Sequence, residues 1–368
     1  MKKKLVTLAI RTSKRAEKIK QELERNGIET IIQNINIDVP AVGVGVRIRI
    51  AESDLPRALR IVEEVEKAWE TQKDDDVSKD ENFILIPIDF ADFVQKTIDF
   101  GFAFAAALNA KIILLYVYSV PPFNISTFRD TNIYTLSNSE QFRRLTSMAE
   151  ADKKNFENLL KKRIAQGEIP DIEFNIELTE GIADEEIIDY CRQHRPRLVV
   201  MGTRGKKLSQ ELIGSVTGEV LDASVSSVLA VPVQSPLAKI TDIERITFLT
   251  NFDQKDLIAI DALLDLFGDK KLEIFFLHIC EKQQKWDEIM LEGIKSYFST
   301  HYTNISTKYE IINSQSNTTA VTNFLAENNI DLLAFNAKKR NLISRIFNPS
   351  LAYKMVLKAD IPLFVTHI

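Results

Sequence analysis

Met201-Gly202-Thr203-Arg204-Gly205 is followed, after eight residues, by Gly214-Ser215-Val216-Thr217. Gly202 and Gly205 let a ligand approach the backbone closely and admit positive φ. Gly214-Ser215 stands where a helix running to Ala223 is expected to begin, and free N–H groups and the helix dipole favour an anion there. Arg204, Lys206 and Lys207 add positive charge. In outline this is a phosphate site. The same spacing equally serves a tight strand-to-helix turn in which the glycines only shape the backbone, because loose glycine patterns are common.

Other chemistry-bearing residues read as structural. His278 and Cys280 alternate within the apolar run FFLHIC and no further metal ligands accompany them, so strand-end packing is expected for both. His194, in CRQHRPR, falls at a helix C-terminus, where a histidine is favourable without any function. Asp74–Asp76 is a charge run, not a carboxylate site. There is no GxxxxGK[ST], HExxH or GxSxG.

Composition narrows the classes further. Across 368 residues, 45% hydrophobic and 27% charged is the balance of a folded globular chain, long enough for two or three domains. Forty-seven Lys+Arg against 52 Asp+Glu argues against a nucleic-acid-coating protein. Cys191 and Cys280 stand far apart without a CxxC spacing, which excludes a disulfide scaffold. Leu5–Ile10 is too short for a secretory core, and no apolar run approaches the ~20 residues of a membrane span. A cytoplasmic protein is expected, with neither nucleic acid nor membrane as partner.

The elements that must position the glycine motif come from a repeat. Ile84–Phe90 lies over Ile246–Phe252 at an offset of 162, and the same offset carries Ile112–Val117 onto Ile274–Ile279. Leu198–Gly202 lies over Leu332–Asn336 at an offset of 134, which we carry on through Val228–Pro232 over Pro362–Thr366. The first copy thus has 28 more residues, placed between Tyr118 and Met201, in a long loop and an extended helix. Apolar strands without polar alternation, separated by helical stretches, describe a parallel sheet covered on both faces. In the first copy strands are expected near 83–88, 111–118, 172–178, 197–202 and 227–233, with helices over 91–108, 139–166, 182–194 and 215–225. Ligands of such sheets bind at the carboxyl ends of the strands, at the switch in strand order.

The expected fold class is α/β: two tandem five-stranded parallel-sheet, Rossmann-like domains, at 83–233 and 245–368, preceded by a small α+β domain. That domain, 1–69, reads β-α-β-β-α, with Leu5–Ile10, a helix capped by Ser13, a hairpin Ile28–Ile50 and a helix opened by Ser53-Asp54. Residues 70–82, with six acidic and two basic residues, read as a linker that sets the reach of 1–69 rather than a fixed orientation. Residues 1–68 carry 14 Lys+Arg against 10 Asp+Glu, and we expect them to recruit a protein partner or to cap an oligomer.

The strand end IPIDF, together with VMGTRG, GSVTGEVL and SSVLAVPV, resembles the universal stress protein family across most of 83–368. The order of elements in 1–68 resembles a small prokaryotic domain associated with signal transduction. The first resemblance implies ATP or AMP, with or without Mg, bound in the first copy. Pro87, Asp89 and Val117 would border the adenine, with Asp89 as its polar contact. Met201, Gly202, Arg204 and Gly205 would line the ribose and first phosphates, and Gly214, Ser215 and Val216 would hold the outer ones. It also implies that the last strands of the two copies pair within the chain, with further homo-oligomerisation left open.

Two departures bear on this. The stretch Lys206–Ile213 is one residue shorter than in most nucleotide-binding members, a change worth up to ~3.8 Å at the helix start unless the loop absorbs it. The second copy has Asn251 for Asp89, Asn336 and Lys339 for Gly202 and Gly205, and Asn348-Pro349 for Gly214-Ser215. It reads as a structural or regulatory partner that has lost the site. The expected function is non-enzymatic, stress-response signalling through nucleotide occupancy. The rivals are an interaction module that binds no nucleotide, and a slow ATPase or autokinase acting near Ser215 or Thr217.

Overall fold

The computed structural model describes residues 4–11, 13–34, 46–73, 82–90, 95–118, 131–203, 215–237, 240–251, 254–280, 285–302, 305–314, 317–337 and 360–368. The N-terminal domain comprises β1 (Leu5–Arg11), α1 (Ser13–Arg25), β2 (Thr30–Asn34), β3 (Val46–Ala51) and α2 (Leu55–Lys73). Its antiparallel sheet has the order β1-β3-β2. Along β3, Val46, Ile48 and Ile50 alternate with the arginines and join Leu8, Ala16, Ile19, Leu23 and Leu59 in one core. Helix α2 continues to Lys73. The linker expected from Glu70 therefore gives up its first four residues to a helix that Glu70, Gln72 and Lys73 can readily extend.

Among the described residues, the remaining strands form one ten-stranded sheet. Its first half holds β4 (Phe83–Ile88), α3 (Gln95–Leu108), β5 (Lys111–Tyr118), α4 (Thr131–Ala165), β6 (Phe174–Glu180), α5 (Ala183–His194), β7 (Leu198–Gly202), α6 (Ser215–Ala223) and β8 (Val228–Val231). The second holds β9 (Arg245–Leu249), α7 (Gln254–Leu264), β10 (Leu272–Cys280), α8 (Lys285–His301), β11 (Ile305–Asn313), α9 (Asn317–Glu327), β12 (Leu332–Asn336) and β13 (Leu363–Thr366). The order is β11-β10-β9-β12-β13-β8-β7-β4-β5-β6. Counted from its own first strand, each half reads 3-2-1-4-5. Pairing is parallel within each half, while β13 meets β8 antiparallel, with Phe364 opposite Leu229. Two apolar strands that would otherwise be sheet edges thus cover each other.

Pairing registers refine the repeat. Ile84 opposite Ile112 has its counterpart in Ile246 opposite Ile274, as the 162 offset requires. Val199 faces Val228, however, and its counterpart Leu333 faces Leu363. The last strands are therefore related by 135, not by the 134 expected from sequence. Similar apolar runs align equally well one residue apart, and only hydrogen-bonded pairing separates the two registers. The connection from the fourth to the fifth strand is one residue shorter in the first half than in the second.

Alternation along β4 sends Ile84, Ile86 and Ile88 to one face and Phe83 and Leu85 to the other. The first face is covered by α3, α4, α7 and α8, through residues such as Ile98, Leu160, Leu263 and Phe298. The second is covered by α5, α6 and α9, through Ile187, Cys191, Leu221 and Phe324. Both cores run through the β8–β13 junction. Helix α4 starts earlier than the expected 139.

The N-terminal domain is docked on the first half. Arg11 Nε and Arg15 Nη1 each lie 3.4 Å from the carboxylate of Glu185 on α5, and Arg15 also bonds Asp189. A reach set by the linker alone is therefore corrected to a held position.

Candidate functional site

The crevice at the switch in strand order lies between β4 and β7, and one residue opens it. In a parallel strand a residue sends its N–H and C=O to the same neighbour, and successive residues alternate between neighbours. The carbonyl of Asn82 accepts from Lys111 N, toward β5, and that of Phe83 accepts from Arg197 N, toward β7. Phe83, Leu85 and Pro87 therefore face β7, and Pro87 has no N–H to give. Pairing of β4 with β7 stops at Leu85–Val199, although the strands run on to Ile88 and Gly202. In the second half Leu249 replaces Pro87, and pairing of β9 with β12 continues to Leu249–Phe335.

Of the proposed contacts, Pro87, Asp89, Val117, Met201, Gly202, Ser215 and Val216 are among the described residues. Asp89 follows β4 directly and is half-buried, and continuing the register Ile88–Tyr116 brings it beside Val117. Met201 is buried and Gly202 half-buried at the end of β7. Ser215 opens α6, and Val216 packs against the core of the second face. Thr217 Oγ1 donates a 2.8 Å hydrogen bond to the carbonyl of Gly202, which fixes the first turn of α6 against the strand end. Thr217 is buried, so its hydroxyl is committed to that bond. Arg204, Gly205 and Gly214 lie outside the described residues.

Sequence reasoning missed the aromatic wall beside Asp89. Phe90 takes a left-handed backbone, φ 53°, and its ring packs 4.3 Å from Tyr116 and 5.3 Å from Phe156 of α4. Burial foremost, then Asp152 and Asp89, push the Tyr116 hydroxyl pKa upward. The only signal for this cluster is the aromatic spacing itself, which is equally the pattern of ordinary core.

The same edge of the second half satisfies itself. Asp256 Oδ2 accepts from Thr250 Oγ1 at 2.9 Å and from the N–H of Asn251 at 2.8 Å. His278, the counterpart of Tyr116, is buried and holds the Thr250 carbonyl through Nδ1 at 2.8 Å. Asn336, the counterpart of Gly202, accepts the N–H of Ile368 at 3.1 Å, and Lys255 Nζ bonds the Ile368 oxygen at 2.9 Å. Lys338–Arg340 and Asn348-Pro349 lie outside the described residues. Cys280 donates to Asn313, and His194 packs on Tyr190, 4.4 Å between ring centroids. Among the described residues no group of three or more His, Cys, Asp or Glu is placed to hold a metal, and no helix is long and apolar enough to cross a membrane.

Fold and crevice together define an open α/β sheet of the kind that takes ligands at a switch point. Residues 82–232 match the model of the universal stress protein family. Universal stress protein MJ0531 of Methanocaldococcus jannaschii is 27% identical over 149 residues, 40% of this chain and 80% of the relative. Universal stress protein MJ0577 of the same organism is 27% identical over 163 residues, 40% of this chain and 93% of the relative. A solved universal stress protein from Archaeoglobus fulgidus is 17% identical, covers 78% of this chain and 99% of its own, and has a TM-score of 0.56. That last likeness is one of fold, over a share of the chain larger than the first half alone.

Proposed function

We propose that the first half binds an adenine nucleotide, ATP or AMP, and that occupancy rather than turnover is the signal in a cytoplasmic stress response. The observation that carries this is the switch in strand order between β4 and β7, where pairing stops before Pro87 and Thr217 pins the start of α6 to the Gly202 carbonyl. In this reading Asp89 and Val117 border the base, and the N–H groups of the first turn of α6 meet the phosphates, as helix N-termini do. A Mg ion would accompany the phosphates of ATP. The second half is a second domain of the same fold, on the strength of its identical strand order, and serves as a structural partner. Thr217 is a poor phosphoryl acceptor because its hydroxyl is spent on Gly202.

One observation favours a second reading, an interaction module that binds no nucleotide. The β7–β8 connection, which carries the glycine motif, is a residue shorter than its counterpart between β12 and β13. Isothermal titration of the full chain with ATP and with AMP decides between them, alongside the nucleotide content of the purified protein after denaturation. Saturable heat with either nucleotide supports the site. No heat and no released nucleotide would leave the interaction module.

A further inference from the structure

Glu185 and Asp189 are four residues apart on α5 and so share one flank of the helix, next to the stripe of Ile187, Ile188 and Cys191 that enters the core. The N-terminal domain covers that flank with Arg11, from the end of β1, and Arg15, from the first turns of α1. The two carboxylates are treated unequally. Asp189 bonds Arg15 and accepts from Arg192 Nη1 at 3.3 Å. Both Glu185 oxygens are sealed from water yet accept no hydrogen bond, and the guanidinium nitrogens of Arg11 and Arg15 stand off at 3.4 Å. Asp184 and Glu186, its neighbours on α5, add like charge. A buried carboxylate with distant cations and no hydrogen bond is costly to keep ionised.

We propose that the contact between the N-terminal domain and α5 is a proton-controlled latch: it closes when Glu185 carries a proton and loosens when Glu185 ionises. Burial is the main cause that pushes the Glu185 pKa up to about 7, against the downward pull of Arg11 and Arg15. With the domain released, Glu185 stands on the water-facing flank of α5, in the ordinary carboxylate range near ~4.3. The docked form therefore binds the proton more tightly than the released form. Docking is strongest below that ordinary range, weakens as pH rises, and levels off above about 7. Between pH 6 and pH 8 the docking equilibrium should fall roughly tenfold.

Single-molecule energy transfer on the full chain tests this. Dyes are placed at Glu24→Cys on α1 and Lys161→Cys on α4, both exposed, in a Cys280→Ser background with Cys191 left buried. The ratio of released to docked native protein should rise roughly tenfold from pH 6 to pH 8. Glu185→Gln, which keeps the shape of the protonated side chain, should stay docked with no pH response. Arg15→Ala should be largely released at both pH values. The proposal is overturned if native docking does not weaken with rising pH, if Glu185→Gln responds as the native protein does, or if Arg15→Ala stays docked.

Discussion

Thr217 Oγ1 lies 2.8 Å from the carbonyl oxygen of Gly202, a contact that joins the first turn of α6 to the end of β7. It crosses the stretch that holds the rest of the glycine motif, so the position of the helix start does not rest on that stretch alone. Thr217→Val keeps the shape and removes the donor. We expect a loss of about 1–2 kcal/mol in urea unfolding, because a half-buried carbonyl loses its donor. Nucleotide affinity should fall with it, and Thr217→Ser should recover both.

Pro87 and Leu249 occupy equivalent positions and differ in one N–H. Pro87→Leu should let β4 pair with β7 two residues further and narrow the crevice. ATP and AMP affinity by titration should drop at least tenfold in a protein of unchanged or higher stability. Leu249→Pro should leave affinity alone and cost stability, by the ~1 kcal/mol of a ladder bond or more. Equal affinity in native protein and a well-folded Pro87→Leu would remove the crevice from the account.

Asp256 closes the second half's edge by holding Thr250 and the N–H of Asn251. Asp256→Ala should destabilise the chain by about 1–3 kcal/mol, since it strands buried polar groups. Nucleotide stoichiometry should remain one per chain. A stoichiometry of two in the native protein would show that the second half still binds.

Residues 82–237 expressed alone would present Val228–Val231 as an uncovered apolar edge, because its partner β13 is absent. Light scattering after size exclusion should show a dimer, and Leu229→Lys should shift it to monomer. A monomer without that substitution would mean that the β8–β13 pairing is a consequence of tethering and not of the strand itself.

Gly101 packs α3 onto β4 so closely that an added Cβ would stand 2.3 Å from Ile86 Cδ1. Leu263 stands at the equivalent place in the second half. Gly101→Leu should therefore overpack the first face at a cost of about 1–3 kcal/mol in unfolding, with nucleotide binding retained in the folded fraction.

Sequence alone determined the α/β class with a mostly parallel sheet, because apolar strands buried on both faces leave a continuous signal, and the glycine motif marks one strand end. It also identified the second copy as lacking the motif, since Asn336 and Asn251 stand where Gly202 and Asp89 would be. Tertiary structure decided what depends on partners distant in the chain. The register of β13 against β12, one residue from the sequence alignment, is set by hydrogen bonds that similar apolar runs do not encode. The merging of two sheets into one comes from β8 and β13 meeting across their edges. Pro87 reads as an ordinary strand residue until the side on which its missing N–H falls is known. Glu185 and Arg15 are 170 positions apart. Either is an unremarkable surface charge by composition, and only the docking of one domain on another buries them together.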